Sequence, residues 1–155
     1  MRLAFLLFIL CVFTSVAQPK IVKLKEVQSL MTEKSDKIQV LNFWATWCGP
    51  CIKELPLIEK IGQERSDIRV TLISLDMDLD ENPEKVYKFV ERKGLKSKVL
   101  ILDESDPNSW IDKIDKDWSG SLPATIVINT ISGKRAFVGR ELKEGDLETL
   151  IESVK

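Results

Sequence analysis

Residues 38–51 read Ile38-Gln39-Val40-Leu41-Asn42-Phe43-Trp44-Ala45-Thr46-Trp47-Cys48-Gly49-Pro50-Cys51, and their order decides the fold. Ile38–Ala45 is a mostly apolar run, as expected of a strand covered on both faces. It feeds two cysteines spaced by two residues, after which Ile52, Leu55, Ile58 and Ile61 recur at helical spacing, with Pro56 expected to kink that helix. The dithiol therefore sits where a central strand turns into a helix. Cys48 falls at the helix N-terminus, where unpaired N–H groups and the helix dipole favour an anion. Its thiolate is expected near a pKa of about 7, against about 8.5 for a free cysteine. Cys51 lies one turn in, more buried and less ionised. Cys48 is thus the expected nucleophile and Cys51 the resolving thiol, and the two can close a disulfide ring across the first turn. Pro50 presets φ for that turn, and Gly49 is expected to keep the ring uncrowded.

Two plainer readings of the pair fail on chemistry. A structural zinc site needs about four protein ligands, and beyond residue 17 the sequence offers neither a third cysteine nor a histidine. A purely structural bridge this short closes almost no loop entropy. Redox exchange remains.

Outward from the motif, strands alternate with helices. Lys20–Leu24 reads as a short strand, and Val27, Leu30 and Met31 as one face of a short helix. Arg69–Leu75 is a second buried strand ending in the acidic stretch Asp76–Glu81, read as a solvated loop because it lacks the pattern of a calcium loop. A helix opens at Pro83, carries Val86, Phe89 and Val90, and closes at Gly94. Val99–Leu102 is a further strand. Glu104–Ser121 is irregular, with Trp110, Ile111 and Ile114 marking one short helix and Trp110 and Trp118 expected to dock on the core. Thr125–Asn129 and Lys134–Val138 form a hairpin whose turn ends at Gly133, and a last helix from Glu144 carries Leu147, Leu150, Ile151 and Val154. This is the α/β class: a central mixed sheet with helices on both faces, in one domain over residues 18–155.

Residues 1–17 stand apart. Arg2 precedes an unbroken apolar run from Leu3 to Phe13, and Ser15 and Ala17 supply small residues before Gln18. The pattern is a signal peptide with cleavage after Ala17, and eleven apolar residues fall short of the roughly 20 that cross a bilayer. Cys11 would leave with it. The rest is expected to work in the periplasm or otherwise outside the cytoplasm, touching a membrane only if the signal stays uncleaved.

Composition narrows the chemistry further. With 155 residues and 44% hydrophobic, the chain can bury a core without staples. Lys plus Arg is 23 against 24 Asp plus Glu, so a net charge of −1 gives no general attraction for nucleic acid. There is no histidine, which removes Ser-His-Asp and Cys-His catalysis and imidazole metal sites. Neither a metal nor a cofactor is expected, and the protein is expected to be a monomer.

The stretch Leu41–Cys51, with Pro56 five residues after the second cysteine, resembles the thioredoxin superfamily over about Lys20–Lys155. The apolar leader, the strand–helix insert through Asp76–Lys96 and Cys51-Ile52-Lys53-Glu54-Leu55-Pro56 resemble its exported TlpA/ResA-like thiol–disulfide oxidoreductases. The resemblance implies a thioredoxin-like fold and an enzyme that reduces protein disulfides through Cys48 and Cys51. It implies that Ser121–Thr125 holds a cis-proline, Pro123, opposite the dithiol. The Leu122 backbone would then pair with an extended substrate segment, with Trp47, Gly49 and Pro50 completing the substrate-binding lip. It further implies a membrane-embedded thiol donor that returns electrons to the pair.

Asn42 stands where cytoplasmic thioredoxins carry a buried Asp that accepts the proton of the second cysteine, and an amide cannot titrate. Glu54, three residues after Cys51 and without a cation at helical spacing, resembles the glutamate of the ResA-like group and is the expected proton acceptor; the competing expectation is a solvated helix glutamate in a surface ion pair. Direction stays open at this point: a DsbA-like oxidant would use the same motif in reverse, and a binding module or holdase would keep the groove without turnover. So does the substrate, with apocytochrome thiols (hence cytochrome c maturation), a copper-site assembly protein and misoxidised proteins as alternatives.

Overall fold

The computed structural model describes residues 18–155, so the expected leader and its cleavage site lie outside the described residues. Six strands and five helices follow in the order β1 (Lys20–Val22), α1 (Leu24–Thr32), β2 (Ile38–Trp44), α2 (Gly49–Glu64), β3 (Ile68–Ser74), α3 (Glu84–Lys93), β4 (Lys98–Leu102), α4 (Ile111–Ile114), β5 (Ala124–Ile128), β6 (Arg135–Val138) and α5 (Asp146–Ser153). The strands form one sheet in the order β1-β4-β3-β2-β5-β6. β1, β4, β3 and β2 run parallel, while β5 is antiparallel to both β2 and β6. The fold is thioredoxin-like, with the mixed sheet expected from the sequence.

Every residue of β2 is buried, because the strand is central and covered on both faces. Its side chains alternate. Val40 and Trp44 join Leu55 and Ile58 of α2, Phe89 of α3 and Leu147 and Ile151 of α5 in one core cluster. Leu41 and Phe43 face the other way, against Val27 of α1, Ile114 of α4, Trp110 and Trp118. Both tryptophans of the irregular segment therefore dock on the core: Trp118 packs on Phe43 with ring centroids 4.7 Å apart and donates its Nε1–H to Ser121 O at 2.8 Å.

Helix boundaries follow local chemistry. Gly94 closes α3 in the left-handed conformation (φ 62°), and the Leu95 N–H reaches back to Val90 O. α2 runs through Pro56 as one helix to Glu64, although the ring removes one N–H from its ladder. The first strand is shorter than expected. Leu24 starts α1 instead, its N–H taken by the Glu104 carboxylate at 2.7 Å, a partner 80 residues away that no local pattern reveals.

Candidate functional site

The parallel strands β2 and β3 end together, with Trp44 opposite Ser74, and the motif leaves the sheet at that edge. The loop after Trp44 is tightened by the Cys48 N–H, which donates to Ala45 O at 3.1 Å. Cys48 then caps α2, with extended backbone (φ −86°, ψ 101°) and its Sγ accepting the Cys51 N–H at 3.3 Å. Pro50 occupies the first turn, where a missing N–H costs nothing. Cys48 and Cys51 are joined as a disulfide with Cα atoms 5.3 Å apart. Both are buried, Cys51 completely and Cys48 to within 5%. Beyond its chain neighbours and the backbone of α2, a Cβ built at Gly49 meets no atom within 4 Å, so no other part of the fold crowds that position.

Pro123 reaches the same edge from the other side. β5 pairs with β2 so that Ala124 lies opposite Phe43, which places Pro123, one residue earlier, at the level of Trp44. The Leu122–Pro123 peptide bond is cis. Leu122 is half-buried between the two core clusters. Trp47, beside Cys48, is 56% exposed.

Glu54 projects from the second turn of α2 into the interior and is only 1% exposed. The reading of a solvated surface glutamate is therefore wrong. Its Oε1 accepts the Asn42 Nδ2–H at 2.7 Å and its Oε2 accepts the Leu142 N–H at 2.6 Å. The second Asn42 N–H goes to Thr125 Oγ1 at 3.0 Å. Burial raises the Glu54 pKa above the usual glutamate value, and the Leu142 and Asn42 hydrogen bonds hold the rise back. The carboxylate is thus buried, held by neutral donors and holds a proton more tightly than an ordinary glutamate.

Two further carboxylates escaped sequence reading. Glu59 caps the chain before β4, accepting the N–H groups of Lys96 at 2.7 Å and Ser97 at 3.0 Å. Asp76, the first residue of the acidic loop, is buried against the dithiol loop through Thr46 and is not solvated as expected. Only the buried position of Asn42 in an apolar strand signals such partners in advance, since buried polar groups are hydrogen-bonded. Among the described residues no cluster of ligating side chains could hold a metal ion, and no helix is long and apolar enough to cross a membrane.

This architecture has relatives. A family model described as Thioredoxin matches residues 19–92. A thioredoxin of Listeria monocytogenes is 46% identical over 74 residues, covering 48% of this chain and 65% of its own length. The thiol-disulfide oxidoreductase ResA of Bacillus thuringiensis is 43% identical over 106 residues, covering 67% of this chain and 56% of its own. Among solved structures, a thioredoxin-related protein from Neisseria meningitidis serogroup B superposes with a TM-score of 0.67 at 22% identity, over 78% of this chain and 87% of that one. A DsbF homologue from Corynebacterium diphtheriae gives 0.61 at 25%, over 79% and 74%. The chain therefore carries a thioredoxin domain in a thioredoxin-like fold, and it is homologous to the ResA thiol–disulfide oxidoreductases. It spans less than two thirds of the length of either the Listeria or the Bacillus relative.

Proposed function

We propose that the protein is an extracytoplasmic thiol–disulfide oxidoreductase that works as a reductase of protein disulfides. The observation that carries the reading is the disulfide at the N-terminus of α2, with Cys48 as the cap and Cys51 fully buried one turn later. In the reduced state the Cys48 thiolate, favoured by the helix terminus, attacks one sulfur of a substrate disulfide. A mixed disulfide forms and the substrate's other sulfur leaves as thiolate. Cys51, its proton passed to Glu54, then attacks Cys48 Sγ, which forms the Cys48–Cys51 bond and releases the second substrate thiolate. Two electrons have passed to the substrate, and a thiol donor must return them.

Several features support this reading. Glu54 is buried with a raised proton affinity one turn beyond Cys51, as a base for a poorly ionised thiol requires. The cis-Pro123 segment lies at the same sheet edge, where the Leu122 backbone can add to an extended substrate strand, with Trp47, Gly49 and Pro50 as the lip. Export rests on the Leu3–Phe13 run and the small residues before Gln18, and in an oxidising compartment the donor is a membrane-embedded thiol protein. We assign the active form as a monomer needing no cofactor. The test is reduction of insulin disulfides with dithiothreitol as donor. The wild type should turn over and Cys48→Ser should not; absence of wild-type turnover would leave a binding module and overturn the reading.

A further inference from the structure

Asp76 is only 5% exposed, and its carboxylate turns back onto the dithiol loop. Oδ2 accepts the Thr46 N–H at 3.0 Å, and Thr46 Oγ1 donates to Oδ1 at 2.5 Å. Ser74 Oγ steadies Oδ2 at 2.8 Å, and the Leu75 N–H donates to Trp44 O at 2.9 Å, so the ends of β2 and β3 are tied on both sides of the clamp. All these donors are uncharged. A buried carboxylate among neutral partners is an expensive way to hold a loop, but hydrogen bonds to an ionised acceptor are about twice as strong as neutral ones and fix their donors closely. Thr46 is held by its backbone and its hydroxyl together. The next residue is Trp47, exposed beside the dithiol, and the one after is Cys48.

We propose that Asp76 is a positioning residue for the dithiol site: its grip on Thr46 sets the course of the loop that presents Trp47 to protein substrates. The inference rests on the reductase reading above and adds a residue that acts through another, outside the Cys-x-x-Cys motif. It has a selective consequence. A protein disulfide must be laid against the Trp47 lip before its sulfur meets Cys48, whereas a small aromatic disulfide needs only the thiolate. Loosening Thr46 should therefore slow the first reaction and spare the second.

The experiment compares Asp76→Asn, Thr46→Val and Thr46→Ser with wild type. Insulin reduction and the reaction of the reduced protein with dithiobis(nitrobenzoate) are measured side by side, with thermal melts as control. Asp76→Asn and Thr46→Val should lower kcat/KM for insulin about tenfold, mainly through KM, with the small-disulfide rate within twofold of wild type. Thr46→Ser, which keeps the hydroxyl, should restore the insulin rate. If the amide variant does not fold, the Val and Ser pair decides alone. Equal loss toward both substrates, tracking a lowered Tm, would reduce Asp76 to a fold-holding residue and overturn the inference. So would unchanged insulin kinetics in a wild-type enzyme that turns over. A wild type inactive toward insulin fails the reductase reading instead.

Discussion

Asn42 of the central strand donates an N–H to Glu54 Oε1 of α2 at 2.7 Å, in a pocket where both side chains are almost fully buried. The acid comes from the helix, and the strand residue holds it. With Glu54 as acceptor of the Cys51 proton, Glu54→Gln should slow reduction by roughly a hundredfold, the low end of what a positioned base contributes. The apparent thiol pKa should fall, because the neutral amide removes a buried charge that opposes the thiolate. Rates measured from pH 6 to 9 check this; a wild-type profile would return Glu54 to a structural role.

The same pair makes stability depend on pH in a stated direction. Burial raises the folded-state pKa of Glu54 above its ordinary value of 4.5, so the native state holds that proton more tightly than the unfolded chain. The associated stability is fully present below pH 4.5 and is lost as pH rises through the folded-state value. Asn42→Asp would set a second carboxyl beside the first, and two carboxylates at that distance resist ionising together. Urea melts should therefore show a loss of stability relative to wild type that is small at pH 4 and larger at pH 7. A pH-independent difference would contradict the placement.

Gly49 offers a gain. Beyond its chain neighbours and the backbone of α2, a Cβ there meets nothing within 4 Å and the residue lies at the start of α2, so Gly49→Ala should stabilise the protein by about 0.4–1 kcal/mol by restricting the unfolded chain. Thermal unfolding checks it. Destabilisation would show that the ring needs glycine.

The roles of the two sulfurs are separable by trapping. Cys51→Ser should accumulate mixed disulfides with protein partners, because the attacking thiolate is intact and the resolving one is missing. Cys48→Ser should accumulate none. Non-reducing gels after expression in an oxidising compartment read the outcome, and equal trapping by both variants would reverse or abolish the assignment.

Much of this was legible in one dimension where the physics is local. The apolar run at Ile38–Ala45, the cysteine spacing, and Gly94 as a helix stop each report their own neighbourhood, and the strand–helix order follows from them. What escaped depends on contacts far apart in sequence. Leu24 begins a helix because Glu104 receives its N–H. Asp76 reads as one more residue of a hydrophilic loop until Thr46, 30 positions earlier, is found against it. Asn42 reads as a lost acid and Glu54 as its replacement, but that the Asn42 amide itself holds Glu54 shows only in the fold. Carboxylates are mostly solvated, so Glu59 and Asp76 became visible only with their partners.

Direction of electron flow is the central claim, and the reduction potential tests it. A strong oxidant such as DsbA reaches about −120 mV because its thiolate is so stabilised that the reduced form wins. Here no histidine stands in the spacer, Lys53 follows Cys51 rather than flanking Cys48, and Glu54 lies buried on the same helix, where its charge opposes thiolate formation. Equilibration of the purified protein with glutathione redox buffers should therefore give a potential at about −230 mV or lower, toward the thioredoxin end of the range. A value above about −180 mV, with the reduced form melting several degrees higher than the disulfide form, would contradict the account.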